Sequence, residues 1–435
     1  MKICMIGTGY VGLVSGTCFA DLGNEVTCVD VDIKKIDNLN SGIIPIYEPG
    51  LEEIVKRNLK QGRLKFSYNV SNSIRKSNII FICVGTPINK KTNAANLKYV
   101  FQVAEKIKYN LNNYKIIVTK STVPVTTGDK IESILKKNKF KSKFDVVSNP
   151  EFLREGEAIR DFIVPDRVVV GTKSKKAIKI MKTLYLPIIK KSTRFFSTSR
   201  RAAELIKYAS NAFLATKISF INEMANLCEE SNIDIEDISV GMGLDQRIGE
   251  RFLRAGPAYG GSCFPKDTKA IVTLARKFKI NLSIINSVIK SNDHRSKILL
   301  NRILKILKNK VKNKHVTFLG TTFKANTDDM RESPCLSLIP ALISKGAKID
   351  YYEPTGRKKE LEKFKKVNFS TNIINATKNA DLIIIHTEWN EFKQLNIKKL
   401  IKNKNVIIYD MRNIYSPEKM KKKGIRYYGI GKQLV

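Results

Sequence analysis

Histidine and tryptophan are scarce in this sequence, and acidic residues are few beside basic ones. Three histidines and one tryptophan occur in 435 residues, and 40 acidic residues stand against 78 basic ones. The seven cysteines (Cys4, Cys18, Cys28, Cys83, Cys228, Cys263, Cys335) form no CxxC pair and no zinc-type spacing. A disulfide framework is therefore not expected, nor is a metal site. Scattered thiols fit a reducing compartment. No apolar run reaches the roughly eighteen residues of a membrane-spanning helix, so no membrane partner is expected. Met1-Lys2-Ile3-Cys4-Met5-Ile6-Gly7 reads as a strand entering a glycine turn rather than as a signal peptide, and a cytoplasmic protein is the expectation. The formal net charge of +38 raises the question of a polyanionic partner. The lysines, however, spread along the whole length on the polar faces of apparent helices. A general attraction for anionic nucleotides is expected, and no specific nucleic acid.

What is present is enough to build several cores. Hydrophobic residues make up 43% of the chain, and its length corresponds to roughly two to four domains. Lys2–Ile6 is a short apolar run followed by Gly7-Thr8-Gly9-Tyr10-Val11-Gly12, a helix of small residues from Leu13 to Leu22, and a second strand ending at Asp30. Strand, GxGxxG, helix, strand and terminal acid in that order are the dinucleotide fingerprint in its full context. Gly7 makes the turn, Gly9 lets the pyrophosphate approach, and Gly12 lets helix pack on strand. Asp30 would accept from ribose hydroxyls, which favours NAD over NADP. Further buried strands end at Gly85-Thr86-Pro87, at Ser121-Thr122-Val123-Pro124 and at Asn149-Pro150-Glu151-Phe152-Leu153-Arg154-Glu155. Ligands of open parallel sheets bind beyond the carboxyl ends of strands. Thr86, Thr122, Glu151 and Glu155 are site candidates on that ground, with ordinary turn and cap chemistry as the alternative.

From Arg200 to about Asn232 the sequence is helical and apolar nearly all round. Lys207 and Asn211 lie four apart on one face and are aimed at a pocket or a solvated stripe. In Gly260-Gly261-Ser262-Cys263-Phe264-Pro265-Lys266-Asp267, Pro265 suits the start of a helix, with Cys263 at or just before its N-terminus. Unpaired amides and the helix dipole favour a thiolate there, the environment of a nucleophile. A small buried hydrophobe is the other reading of Cys263. Beyond about Lys312 a second α/β pattern begins, without GxGxxG. Its basic loop residues Lys324, Arg331 and Arg412 could hold a nucleotide's phosphates. The expected architecture is α/β: two Rossmann-like doubly wound domains joined by a central all-helical region. The expected boundaries are 1–199 for the domain with the dinucleotide fingerprint, 200–312 for the helical region with the cysteine loop, and 313–435 for the second α/β domain.

These segments, with Pro45-Ile46-Tyr47-Glu48-Pro49-Gly50-Leu51 and Arg331-Glu332-Ser333, resemble the nucleotide-sugar 6-dehydrogenases along essentially the whole chain. The resemblance implies oxidation of a primary alcohol to a carboxylate with two NAD, through a thiohemiacetal and a thioester on Cys263. It implies that Lys207 and Asn211 stabilise the oxyanion, that Asp267 and Thr122 hold a water, and that Glu151 is the hydrolytic base with Glu155 nearby. The split of acid and base roles among Glu151, Asp267 and Lys207 stays open, as does an imine on Lys207. The NAD contacts carried over are Gly7, Gly9, Tyr10, Val11, Gly12, Asp30, Lys35, Thr86, Thr122, Glu155, Lys266 and Arg331. Those for the UDP-sugar are Glu151, Phe152, Leu153, Lys207, Asn211, Phe252, Leu253, Arg254, Gly260, Lys324 and Arg412. Arg247 resembles an arginine that reaches a neighbouring subunit's substrate site. A homodimer, or a larger assembly, through the central helices is implied. Ser262 before the cysteine and the intact Phe-Pro-Lys-Asp run favour UDP-glucose over UDP-hexosamines. GDP-mannose is the nearest rival, because its dehydrogenases carry a similar cysteine motif. A single-hydride hydroxy-acid dehydrogenase, which has no need of Cys263, and a basic nucleic-acid binder are the remaining alternatives.

Overall fold

The computed structural model describes residues 1–89, 91–138, 143–189, 193–400 and 405–432. The chain divides into two compact units, Met1–Ser210 with Lys269–Lys279, and Asn211–Thr268 with Ile280–Val435. In the first, eight strands form one sheet: β1 (Lys2–Ile6), β2 (Glu25–Val29), β3 (Leu64–Ser67), β4 (Ile79–Ile82), β5 (Lys115–Thr119), β6 (Phe144–Ser148), β7 (Arg167–Gly171) and β8 (Arg194–Thr198). Their spatial order is β3-β2-β1-β4-β5-β6-β7-β8. Every pairing is parallel except β6 with β7, which meet only at Ser148 and Gly171. β4 is buried at all four positions because helices cover both faces, and so it reads as a continuous apolar run. Phe19, on helix Tyr10–Asp21, packs its ring against Phe81, Phe162 and Tyr185 with centroids 4.9–5.4 Å apart.

The second unit carries β9 (His315–Leu319), β10 (Lys348–Tyr352), β11 (Val367–Phe369), β12 (Leu382–Ile385), β13 (Ile407–Asp410) and β14 (Arg426–Gly429), all parallel, in the order β11-β10-β9-β12-β13-β14. Both sheets therefore reverse direction of growth beside their first strand, between β1 and β4 and between β9 and β12. Beyond the carboxyl ends at these switch points lie the crevices where open α/β sheets bind ligands.

Between β8 and β9 the chain is helical: Arg200–Ser231, Ile235–Gly243, Phe264–Lys277 and Ser283–Ile306. The expected architecture of two doubly wound sheets and a helical centre is the one found. The first helix starts at Tyr10, inside the fingerprint, rather than at Leu13, because Gly9 is extended and serves as its N-cap. β3, β7, β8, β11 and β14 were not marked by the sequence pattern; β3, β8, β11 and β14 carry weak apolar runs, whereas β7 holds the buried run Val168-Val169-Val170.

Candidate active site

In the first unit the β1–helix turn is built to bring backbone close to a ligand. Gly7 has φ +102°, and a Cβ on it would sit 2.9 Å from the Cys83 carbonyl oxygen. A Cβ on Gly12 would lie 1.9 Å from the Gly7 carbonyl oxygen, whereas one on Gly9 would meet nothing within 4 Å. The middle glycine thus faces open space, as a pyrophosphate cradle requires, while the outer two are packing positions. The Asp30 carboxylate accepts from Thr8 N at 2.9 Å and Thr8 Oγ1 at 2.7 Å, and pairs with Lys35 Nζ at 3.3 Å. Burial pushes its pKa up, but these hydrogen bonds and the lysine outweigh that and hold it below the ordinary value. The turn, the open face over Gly9 and the acid at the tip of β2 fit NAD.

Tyr10 and Val11 open the helix. The Tyr10 hydroxyl hydrogen-bonds Glu48 and accepts from Gly156 N at 2.8 Å. Glu48 is buried and also accepts from Gly156 N at 2.6 Å and Ala158 N at 2.8 Å. One carboxylate from the Pro45–Leu51 segment therefore fixes the end of the loop carrying Glu151, Phe152, Leu153 and the half-buried Glu155. Thr86 Oγ1 donates to the Thr122 carbonyl at 2.9 Å, tying together the loops after β4 and β5, and both threonines are buried.

This unit also holds a buried ion pair. Glu151 Oε1 lies 3.1 Å from Lys207 Nζ, with the two side chains 4% and 5% exposed. Glu151 Oε2 accepts from Leu153 N at 2.6 Å. The Phe152 ring lies 4.0 Å from the Arg167 guanidinium and 5.3 Å from Lys207 Nζ. Three residues before Lys207, Glu204 accepts from Thr126 N (2.8 Å) and Gly128 N (2.7 Å), capping helix Thr127–Leu135. Burial raises Glu204 to about 7 despite those amides. Glu48, Arg167 and Glu204 were not singled out from sequence, although Glu48 sits in a motif and Glu204 shares the helix of Lys207.

In the second unit Cys263 is half-buried, and its carbonyl accepts the first turn of the helix Phe264–Lys277 from Asp267 N at 2.8 Å. This is the helix-start position expected from sequence. Its sulfur lies 3.5 Å from Ser262 Oγ. Asp267 is fully buried, receives Asn211 Nδ2 at 2.6 Å and pairs with Lys266. Asn211 and Lys207 are one turn apart on the helix Arg200–Ser231. The glycines before the cysteine are forced by close packing: Gly261, at φ +79°, would put a Cβ 2.7 Å from the Phe323 ring, and Gly260 one 2.5 Å from the Glu332 carbonyl. Two buried groups outside the expected set fix the loop's start. Arg295 donates to the Gly256 carbonyl from Nε (3.2 Å) and Nη2 (3.0 Å), while Asn222 Oδ1 accepts Gly256 N at 2.8 Å.

Not every expected residue converges. Phe252, at φ +68°, packs its ring edge-on to Phe264, and Leu253 is buried, but Arg254 is exposed. Lys324 is half-buried over Phe323, and Arg412 donates to the carbonyls of His386 (2.9 Å) and Phe323 (2.7 Å). Arg331 is turned to Asp329 at 2.7 Å and is exposed, and Arg247, 89% exposed, pairs with Asp245 at 2.6 Å. In the turn after β9, Glu353 accepts Thr321 N at 2.7 Å, as Asp30 accepts Thr8 N after β1. Among the described residues no cluster of three or more histidines, cysteines and carboxylates could hold a metal, and no helix is long and apolar enough to cross a membrane.

Comparison with known proteins agrees along the whole chain. Family models for UDP-glucose/GDP-mannose dehydrogenases match residues 1–211 (NAD-binding domain), 201–294 (central domain) and 317–417 (UDP-binding domain). A UDP-glucose 6-dehydrogenase of Rhizobium meliloti is 44% identical over 99% of this chain and 100% of its own. That of Rickettsia prowazekii is 46% identical over the full length of both. The solved structure of a UDP-glucose dehydrogenase from the archaeon Pyrobaculum islandicum superposes with a TM-score of 0.90 at 32% identity, covering 99% of this chain and 97% of that one. With a fingerprint that fits NAD and a UDP-binding domain at its C-terminal end, the chain belongs to the UDP-glucose/GDP-mannose dehydrogenase family.

Proposed function

We propose that this dehydrogenase oxidises C6 of UDP-glucose by four electrons to UDP-glucuronate through a covalent intermediate on Cys263. The observation that carries this is a half-buried thiol at a helix start, beside Ser262 and a buried Asn211–Asp267 pair, in a chain that also holds an NAD cradle. Gly7, Gly9, Gly12, Asp30 and Lys35 would hold NAD, and two NAD molecules bound in turn would each accept one of the two hydrides leaving C6.

The chain's own groups do the rest. Loss of a hydride and the hydroxyl proton leaves an aldehyde at C6. The Cys263 thiolate forms a C–S bond to it, and the oxygen takes a proton to give the thiohemiacetal. Loss of a second hydride and that proton gives the thioester. Water then adds, the C–S bond breaks, the thiolate is regenerated and the carboxylate leaves. Lys207 and Asn211 present N–H donors toward the C6 oxygen, a role worth ~10²–10³ in kcat per donor in related chemistry. Glu151 takes a proton from the attacking water. Asp267 and Thr122 hold that water.

A dimer belongs to the same reading. Phe213, Phe220 and Leu227 recur every seven residues on Arg200–Ser231 and are 65%, 43% and 62% exposed. So regular an apolar stripe on a long helix supports pairing with a second copy. The substrate assignment is tested by kcat/KM for UDP-glucose, GDP-mannose and a UDP-N-acetylhexosamine. UDP-glucose should lead by roughly 100-fold or more. NADH formed from GDP-mannose or the hexosamine alone would overturn the choice of sugar and leave the chemistry.

A further inference from the structure

Lys120 follows β5 directly and is buried, with 4% of its surface exposed, yet the chemistry above does not use it. Its ammonium donates to Asn149 Oδ1 at 3.2 Å and to the Tyr185 hydroxyl at 3.3 Å, and Tyr185 donates to the same Asn149 oxygen at 2.6 Å. Asn149 in turn donates from Nδ2 to the Val169 carbonyl at 2.8 Å. These bonds lie where the sheet is weakest: β6 and β7 share a single antiparallel pair, Ser148 with Gly171. The side chain of Asn149 replaces the missing ladder between the end of β6 and β7. Pro150, with its fixed φ, passes that position on to Glu151, which meets Lys207 at 3.1 Å.

We infer that Lys120 is a positioning residue for the Glu151–Lys207 pair, acting through Asn149 and through its buried positive charge. The charged and titratable groups facing it are Cys83 after β4, Glu151 after β6, Tyr185 at the end of helix Lys175–Tyr185, and Lys207 on helix Arg200–Ser231. Charged, Lys120 attracts the Glu151 carboxylate and repels the Lys207 ammonium, setting the balance within the pair. Burial lowers its own pKa to about 8, so this charge is present at neutral pH and is lost as pH rises past that value.

The inference rests on the proposed function, and the test separates the two. The pH dependence of kcat is measured with UDP-glucose and NAD for wild type, Lys120→Met and Tyr185→Phe, with thermal unfolding of each. In wild type kcat should fall above pH about 8. Tyr185→Phe removes an acceptor from the ammonium and should move that fall to lower pH. Lys120→Met should lose the fall and lower kcat by about 100-fold, as misplacing a reacting group does, with KM for NAD within about twofold of wild type. A purely structural Lys120 would lower the melting temperature and leave the shape of the profile alone. Three profiles of one shape, or wild-type kcat in Lys120→Met, would overturn the inference. If Lys120→Met does not fold, an unmoved alkaline limb in Tyr185→Phe overturns it alone. Absence of NADH from every nucleotide sugar in wild type would instead sink the functional reading, and this one with it.

Discussion

Lys207 and Glu151 meet where almost no water reaches, and that fixes what each is worth. Removing one partner of a buried pair leaves an uncompensated charge, at a cost of roughly 3–5 kcal/mol. Lys207→Ala should therefore be less stable by about that much in denaturant unfolding and should lose at least ~10² in kcat, whereas Lys207→Ala with Glu151→Gln should regain part of the stability and none of the activity. Recovery of activity in the double variant would contradict the oxyanion role. Sequence made both residues candidates, one beyond a strand end and one on an apolar helix. It did not reveal that they pair, because their meeting depends on how the loop after β6 folds back over 56 residues of chain. Arg331 and Arg247, each expected to contact a ligand, also bond an aspartate two residues earlier in their own loop, a pairing the sequence reading did not include.

At the scale of elements, the turn after β1 was the most legible part, since its glycines are demanded by contacts a Cβ would violate. Gly12→Ala would place a methyl 1.9 Å from the Gly7 carbonyl oxygen. The helix must shift to make room, at a cost of about 1–3 kcal/mol, and the cradle opens with it. NAD affinity measured by fluorescence titration should fall by at least ~10-fold, while Gly9→Ala, whose methyl would meet nothing within 4 Å, should retain the fold and lose NAD by obstruction. Wild-type NAD affinity in both variants would remove the fingerprint from the site. The turn after β9 also begins on a positive-φ glycine, Gly320, but has Thr322 and Ala325 where the fingerprint has its later glycines, which is why no second dinucleotide site was read there. Elements missed from sequence are short strands and helix caps. Glu48 and Glu204 act by accepting backbone amides more than 75 residues distant, and no local spacing encodes such a bond.

For the whole molecule, composition set the class and the +38 charge left the partner open. The apolar stripe of Phe213, Phe220 and Leu227 explains a helix that reads as hydrophobic all round: part of it packs within its unit and part is exposed. Phe220→Glu should convert a sedimenting dimer to monomer with little change in melting temperature at high protein dilution. A wild-type chain that sediments as a monomer would contradict the pairing. The two-sheet architecture was legible because buried parallel strands are uniformly apolar, and their rhythm survives even so heavy a lysine content.

The most direct measurement is NADH formed per UDP-glucose consumed at completion, for wild type and Cys263→Ser. Two NADH per sugar in wild type, with loss of complete turnover in the variant, is the predicted result. One NADH per sugar, or a variant that yields UDP-glucuronate at the wild-type rate, would take Cys263 out of the mechanism.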